Sequence, residues 1–174
     1  MPAPDILSCR LRLVALRLEA LQALRSCDYQ EASGHLGWGL TSEFRDSLGE
    51  RFLAMQLELL LEYPERHAWC VRAMVRRQDG LVVGHTGFHG PPETIGRAEI
   101  GYHVFVANRG FGYATEACRA LVDWARDRGH GKVFASVSPS NAPSLAVVAK
   151  LGFKRSATQR TAISDAEQLF EVSE

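Results

Sequence analysis

A run that reads as a strand, Glu99 to Val106, ends in Asn108-Arg109-Gly110-Phe111-Gly112-Tyr113-Ala114, and a helix begins inside that same glycine-rich turn. This junction constrains the fold more than any other stretch. Two glycines let successive backbone N–H groups turn into one small space at the positive end of a helix, with Arg109 beside them. Such a space asks for an anion. A second helix starts near Ser140-Asn141-Ala142-Pro143-Ser144 and stops at Leu151-Gly152-Phe153. The segment therefore reads strand, anion loop, helix, strand, helix, strand.

The rest of the chain supplies a frame for that unit. Arg10 to Leu16 alternates as a strand does, and Arg17 to Ser26 places Leu18, Leu21 and Leu24 at helical spacing. Tyr29 to Leu40 holds Gly34, Gly37, Trp38 and Gly39 without periodicity, which predicts a loop: either one that an aromatic pins over a pocket, or a surface loop with one buried tryptophan. Phe44, Leu48, Phe52, Met55 and Leu59 predict one helix from Ser42 to Glu62, stopped by Tyr63-Pro64. Leu53, Leu57, Leu60 and Leu61 widen its apolar stripe, which suits deep burial or a subunit contact.

Trp69 to Arg77 and Leu81 to His89 predict an antiparallel hairpin about Asp79-Gly80. In the strand after Gly90-Pro91-Pro92, Glu99, Gly101, His103 and Phe105 fall on one face and Ile100, Tyr102, Val104 and Val106 on the other. The helix from Gly112 to Arg128 turns Ala114, Ala117, Cys118, Leu121, Val122 and Ala125 inward and Glu116, Arg119, Asp123 and Arg126 outward. Val133 to Val137 is a strand, and Phe153 to Thr161 with Glu167 to Val172 reads as a closing hairpin with its turn near Ser164-Asp165.

At 174 residues, without a linker, repeat or low-complexity tract, the chain is expected to be one α/β (α+β) domain. Twenty basic residues balance twenty acidic ones, so no bulk field points to nucleic acid or an anionic membrane. Function is expected in a pocket. Cys9, Cys27, Cys70 and Cys118 have no ligand-like spacing and are read as reduced packing residues, with no metal expected. With no leader-like or membrane-spanning run, the expected home is the cytoplasm.

Spacing separates the kinds of glycine loop. A dinucleotide fingerprint wants a small residue where Thr115 stands, and a phosphate-binding Walker loop wants Gly-Lys-Ser/Thr where the chain has Gly112-Tyr113-Ala114. Arg109-Gly110-Phe111-Gly112-Tyr113-Ala114 instead resembles, in shortened form, the Arg/Gln-x-x-Gly-x-Gly/Ala signature of the GNAT acetyltransferase superfamily. Together with Ala98-Glu99-Ile100-Gly101-Tyr102, Asn141-Ala142-Pro143-Ser144 and Lys150-Leu151-Gly152-Phe153, its order is similar to the RimJ/RimL-like branch. Leu11-Arg12-Leu13 and the Gly87 to Pro92 turn extend the resemblance over nearly the whole chain, with Tyr29 to Tyr63 the weakest part.

The resemblance implies a mixed, mostly antiparallel twisted sheet of about seven strands flanked by helices, with central strands splayed around acetyl-CoA. The pantetheine arm would bond to the main chain around Val104, Phe105 and Val106, and the amides of Gly110, Phe111, Gly112, Tyr113 and Ala114 would cap the pyrophosphate beside Arg109. Asn141 would cap its helix, bond the pantetheine, or do both.

The implied reaction is attack of a neutral primary amine on the thioester, through a tetrahedral oxyanion that expels the thiol. A base must deprotonate an amine of pKa about 7.7–8.0 for a chain terminus or about 10.4 for a lysine. Glu99 is the first candidate, with partial burial expected to raise its basicity; the alternative is a sheet carboxylate bonded to a neighbour. His103 shares its face and is read either as a relay or substitute base or as a packing residue. A main-chain N–H near Val104 is the expected oxyanion donor. Many members place a tyrosine where Val148 stands; the resemblance to the RimJ/RimL-like branch, whose Asn-x-x-Ser serine serves the thiol, implies Ser144 as the proton donor to the thiolate, against a role in capping its helix.

An N-acetyltransferase acting on a peptide N-terminus or a small amine is therefore the leading expectation, and a catalytically silent acyl-CoA-binding sensor is the alternative. A dinucleotide-binding module is a weaker rival. Glu31, Glu43 and Glu50 form an acidic rim for a cationic acceptor or are simply solvated, and monomer and homodimer are both open.

Overall fold

The computed structural model describes residues 3–92, 96–159 and 167–172. Its strands are β1 (Ile6–Leu7), β2 (Leu11–Ala15), β3 (Val71–Arg76), β4 (Val82–Phe88), β5 (Ala98–Val104), β6 (Val133–Val137), β7 (Lys154–Gln159) and β8 (Glu167–Val172). They form one sheet in the order β1-β2-β3-β4-β5-β6-β8-β7. Pairing is antiparallel except between β5 and β6, which run parallel. The expected mixed sheet is present, with eight strands instead of about seven. The extra one, β1, is too short to show an alternating pattern.

The β5–β6 pair determines the shape of the site. These strands meet only at Ala98 with Val133 and Glu99 with Phe134, near their N-terminal ends, and separate beyond. On the far side of β5, Phe105 donates its amide to the Val83 carbonyl at 3.0 Å and His89 donates to the Glu99 carbonyl at 2.9 Å. Antiparallel pairing uses alternate residues, so Glu99, Gly101, His103 and Phe105 face β4, while Tyr102 and Val104 turn their amides and carbonyls into the gap.

Helices close both faces of the sheet. On one lies α5 (Tyr113–Arg126), whose Ala117, Cys118, Leu121, Val122, Trp124 and Ala125 are buried with Phe88, Ile100 and Val133. Near it is α6 (Ala142–Lys150), where Val148 is buried. The other face carries α1 (Leu18–Arg25), α2 (Tyr29–Leu36), α3 (Ser42–Leu48) and α4 (Glu50–Glu62), packed on Val71, Ala73, Val75 and Phe105. Each large aliphatic chain removed from water here contributes about 1.5–3 kcal/mol, and this burial holds the helices to the sheet. A single-turn 3₁₀ segment, Val106–Asn108, leads from β5 into the glycine turn.

Two sequence expectations are corrected in the second layer. Tyr29 to Leu40 is largely helix: Asp28 caps it by accepting from the Glu31 amide at 2.9 Å, Ala32 and Leu36 are buried, and Gly37 closes it at φ 86°. Trp38 pins no pocket there; it lies beside Gly80 of the hairpin turn with the Arg12 guanidinium 5.7 Å from its ring. The single helix expected from Ser42 to Glu62 is broken at Gly49, whose φ of 75° no helix interior accepts. The apolar stripe runs through the break because Phe44, Leu48, Leu53, Leu57 and Leu60 all enter one core; Leu61 stays exposed.

Cys70 and Cys118 are buried thiols, whereas Cys9 and Cys27 are exposed, so packing accounts for only two of the four. The closing hairpin of β7 and β8 is paired as expected, but Thr161 and the Ser164-Asp165 turn lie outside the described residues. Among the described residues, no helix is long and apolar enough to cross a membrane.

Candidate active site

Where β5 has parted from β6, a cleft of about 520 Å³ lies between the end of β5, the glycine turn and α6, lined by Tyr102, His103, Val104, Arg109, Asn141 and Ser144 among others. The glycine turn lies at its rim. Gly110 and Gly112 take φ values of 84° and 80°, which place the chain in the left-handed region and aim consecutive amides the same way. Gly112 caps α5 without any side-chain acceptor. The amides of Phe111, Gly112, Tyr113 and Ala114 have no acceptor among the described residues, so the positive end of a helix of 14 residues faces the cleft unsatisfied. Four free amides, left-handed glycines and a neighbouring guanidinium fit a diphosphate.

The back of this turn is braced by residues the sequence reading did not connect to it. Arg10 donates Nη1 to the Phe111 carbonyl at 2.9 Å and Nε to Glu116 Oε2 at 2.7 Å, while its guanidinium lies 4.9 Å from the Tyr113 ring centre. Glu116 also accepts from the Ser8 hydroxyl at 2.7 Å and the Arg10 amide at 2.6 Å. Burial alone raises its carboxyl pKa, but these bonds outweigh that and hold it below the usual range. Expected to face water, Glu116 instead ties the N-terminal segment to α5. Phe111 is exposed and stacks on Tyr113 at 5.9 Å.

Of the three main-chain positions expected along the pantetheine, only Val104 faces the cleft, and it is joined by Tyr102. Phe105 is turned away: its amide is spent on Val83 and its ring packs edge-on against Phe44 at 6.3 Å. Val106 begins the 3₁₀ turn, where its carbonyl accepts from the Arg109 amide. The strand ends at Val104, and this early turn removes both residues from the wall. Arg109 donates Nε to the Val104 carbonyl at 2.9 Å, fixing the guanidinium between the strand end and the glycine turn.

Asn141 caps α6, its Oδ1 accepting from the Ser144 amide at 3.1 Å. The Ser144 hydroxyl is therefore not the cap, and its carbonyl accepts from the Tyr102 hydroxyl at 3.3 Å. Burial is the main reason the Tyr102 phenol is pushed up to about 12, so it remains a donor at neutral pH. Val148, where the resemblance leads one to look for a tyrosine, is a core residue.

On the β4-facing side of β5 the Glu99 carboxylate lies 3.3 Å from Nδ1 of His89. Burial is the largest influence on Glu99 and pushes its pKa up, but His89 and hydrogen bonds from Ser136 together bring it below the ordinary value. The expected gain in basicity is thus reversed. His103 stacks on His85 at 5.5 Å with an interplanar angle of 13°; burial and then Arg109 lower its pKa, opposed by Glu43 from α3. The other carboxylates expected at an acidic rim are largely exposed to water, Glu50 at 2.5 Å from Arg45 and Glu31 at 3.6 Å from His35.

A wider groove of about 760 Å³ lies along the outer side of α5, lined by Asp5, Trp124, Asp123 and Asp127 among others. Its carboxylates repel a diphosphate, and no residue of β5 lines it. Among the described residues, no three His, Cys, Asp or Glu side chains come close enough together to hold a metal ion.

With this geometry in place, comparison with known proteins gives consistent matches. Residues 10–154 match the family model of the acetyltransferase (GNAT) domain. An uncharacterized N-acetyltransferase of Bacillus subtilis (strain 168), YjdG, is 30% identical over 145 residues, covering 83% of this chain and 86% of that relative. Among solved structures, the RimL ribosomal L7/L12 alpha-N-protein acetyltransferase superposes with a TM-score of 0.66 at 17% identity, over 98% of this chain and 94% of its own. The microcin C7 self-immunity acetyltransferase MccE, in complex with acetyl-CoA and AMP, superposes with a TM-score of 0.65 at 16% identity, over 95% and 93%.

Proposed function

Because this chain belongs to the GNAT acetyltransferase family, an acetyl-CoA-dependent group of enzymes, we propose that it transfers an acetyl group from acetyl-CoA to a primary amine by direct attack. The observation that carries the reading is the row of unsatisfied amides from Phe111 to Ala114 at the mouth of a cleft opened by the parting of β5 and β6.

Each residue then has a task its surroundings support. Gly110 and Gly112 shape the turn whose amides take the pyrophosphate, and Arg109 adds positive charge. The open main-chain groups of Tyr102 accept the pantetheine as an added strand would be accepted, and the N–H of Val104, whose carbonyl Arg109 already holds, is the preorganised donor for the developing oxyanion. The Asn141 amide nitrogen is not spent on the cap and can reach into the cleft. The Ser144 hydroxyl supplies a proton to the departing thiolate. The amine approaches over the face of β5 that carries Glu99, Gly101 and His103.

The acceptor class is a peptide N-terminus or a small amine. A screen of thiol release from acetyl-CoA with peptides of varied N-termini, spermidine and kanamycin tests it. Release that depends on one class of amine supports the reading, and release from none overturns it.

A further inference from the structure

His89 meets β5 next to the cleft-lining His103 by a route that sequence spacing does not display. It follows β4, and its amide donates to the Glu99 carbonyl at 2.9 Å, so the two residues are held opposite each other by the main chain. Their side chains meet again, with Nδ1 of His89 3.3 Å from Oε2 of Glu99. Since an ionised carboxylate only accepts, the neutral imidazole that pairs with it carries its hydrogen on Nδ1 and its lone pair on Nε2.

The position of Nε2 depends on a glycine. A Cβ placed on Gly101 would lie 2.6 Å from Nε2 of His89, so the ring lies directly over the bare backbone of β5. The other side of the ring is held by Phe52 of α4, at 5.2 Å between centroids. Nε2 thus lies over Gly101, between Glu99 and His103 on one face of β5, with the amide of Tyr102 one residue along and that of Val104 three. Glu99 is poorly placed to take a proton itself, since His89 and Ser136 already occupy its carboxylate. His103 is stacked against His85.

We infer that His89 is the general base of the transfer and that Glu99 is a positioning residue, which holds the imidazole in the tautomer that leaves Nε2 free. The inference rests on the transferase reading above. The amine nitrogen forms the C–N bond, and its proton passes to Nε2 of His89. The C–S bond breaks with its electron pair on sulfur, and the thiolate takes a proton from the Ser144 side of the cleft. Nothing is oxidised or reduced.

The test uses the intact protein with acetyl-CoA and the amines named above. In His89→Gln, kcat is expected to fall about 100-fold or more, as loss of a general base does, while calorimetry gives an unchanged acetyl-CoA Kd. His89→Ala leaves a space over Gly101, and millimolar imidazole is expected to restore part of its rate, a recovery that a merely structural histidine would not show. Glu99→Gln is expected to lower kcat by less, with KM for the amine nearly unchanged.

Wild-type turnover accompanied by an equally fast His89→Gln variant overturns the inference and leaves the transferase reading standing. So does a His89→Ala variant of normal melting temperature that is inactive and gains nothing from imidazole. A wild type that acetylates none of the amines takes down the reading and the inference together.

Discussion

The hydroxyl of Tyr102 in β5 reaches the main-chain carbonyl of Ser144 in α6 at 3.3 Å, joining the two sides of a cleft whose strands have already separated. Tyr102→Phe removes only that bond. Stability in urea is expected to fall by about 1 kcal/mol. Because the phenol is pushed up to about 12, the loss is expected to be the same at pH 6 and pH 9. A loss that vanishes at the higher pH would mean that the hydroxyl ionises far earlier than its burial allows.

Asn141 caps α6, and Ser144 is proposed to protonate the thiolate. Asn141→Ala removes the cap of α6 and is expected to cost about 1 kcal/mol in denaturation experiments. Ser144→Ala keeps both the capped amide and the carbonyl that Tyr102 uses, so stability is expected to hold while kcat falls about tenfold or more. Equal loss of stability in both variants would assign Ser144 to the helix alone.

Gly112 holds φ at 80°, and the nearest atom to an added Cβ is Arg10 Nη2 at 3.6 Å, an ordinary contact. The cost of Gly112→Ala is therefore conformational, about 1–2 kcal/mol for a left-handed residue. Acetyl-CoA affinity by calorimetry is expected to drop about tenfold as the amides lose alignment. An unchanged Kd would separate the turn from the ligand.

His85 lies buried beneath Phe44 and His103, and burial, followed by the proximity of His103, lowers its pKa from about 6.5 to about 4. Its folded-state value is below its unfolded one, so the unfolded chain binds the extra proton between these limits. Stability from this group is complete above about pH 6.5 and is lost as pH falls toward 4, by about 3 kcal/mol in all. The stability of wild type relative to His85→Leu, read from urea midpoints, is expected to fall steadily as pH drops through that range. Parallel curves would contradict the assignment.

The sequence disclosed the elements whose pattern is local. β2, the β3–β4 hairpin, β5 and α5 carry clear periods, and Gly110 and Gly112 mark the turn because only glycine accepts those φ values cheaply. The break at Gly49 was hidden because helices on both sides of it bury the same stripe. α2 was hidden because Ser33, Gly34 and the flanking glycines dilute its short apolar period.

In the site, Phe105 and Val106 were misplaced because the strand's alternation continues past the residue at which its pairing stops. Arg10 and His89 were invisible for a different reason. Their partners, Glu116 and Glu99, are brought to them by tertiary contact across 106 residues in one case and by the turn between two strands in the other. The one local hint was Gly101, a glycine inside a strand, which signals that something lies close above it.

In the function proposed, the amides around Phe111 receive the diphosphate of acetyl-CoA while its thiol arm lies along β5 where that strand has parted from β6. Amide NMR during an acetyl-CoA titration tests it most directly. The account expects saturable shifts at Phe111, Gly112, Tyr113 and Ala114, together with Tyr102 and Val104. Saturable shifts confined to the groove of Asp5, Asp123 and Trp124, with those six amides unmoved, would contradict it.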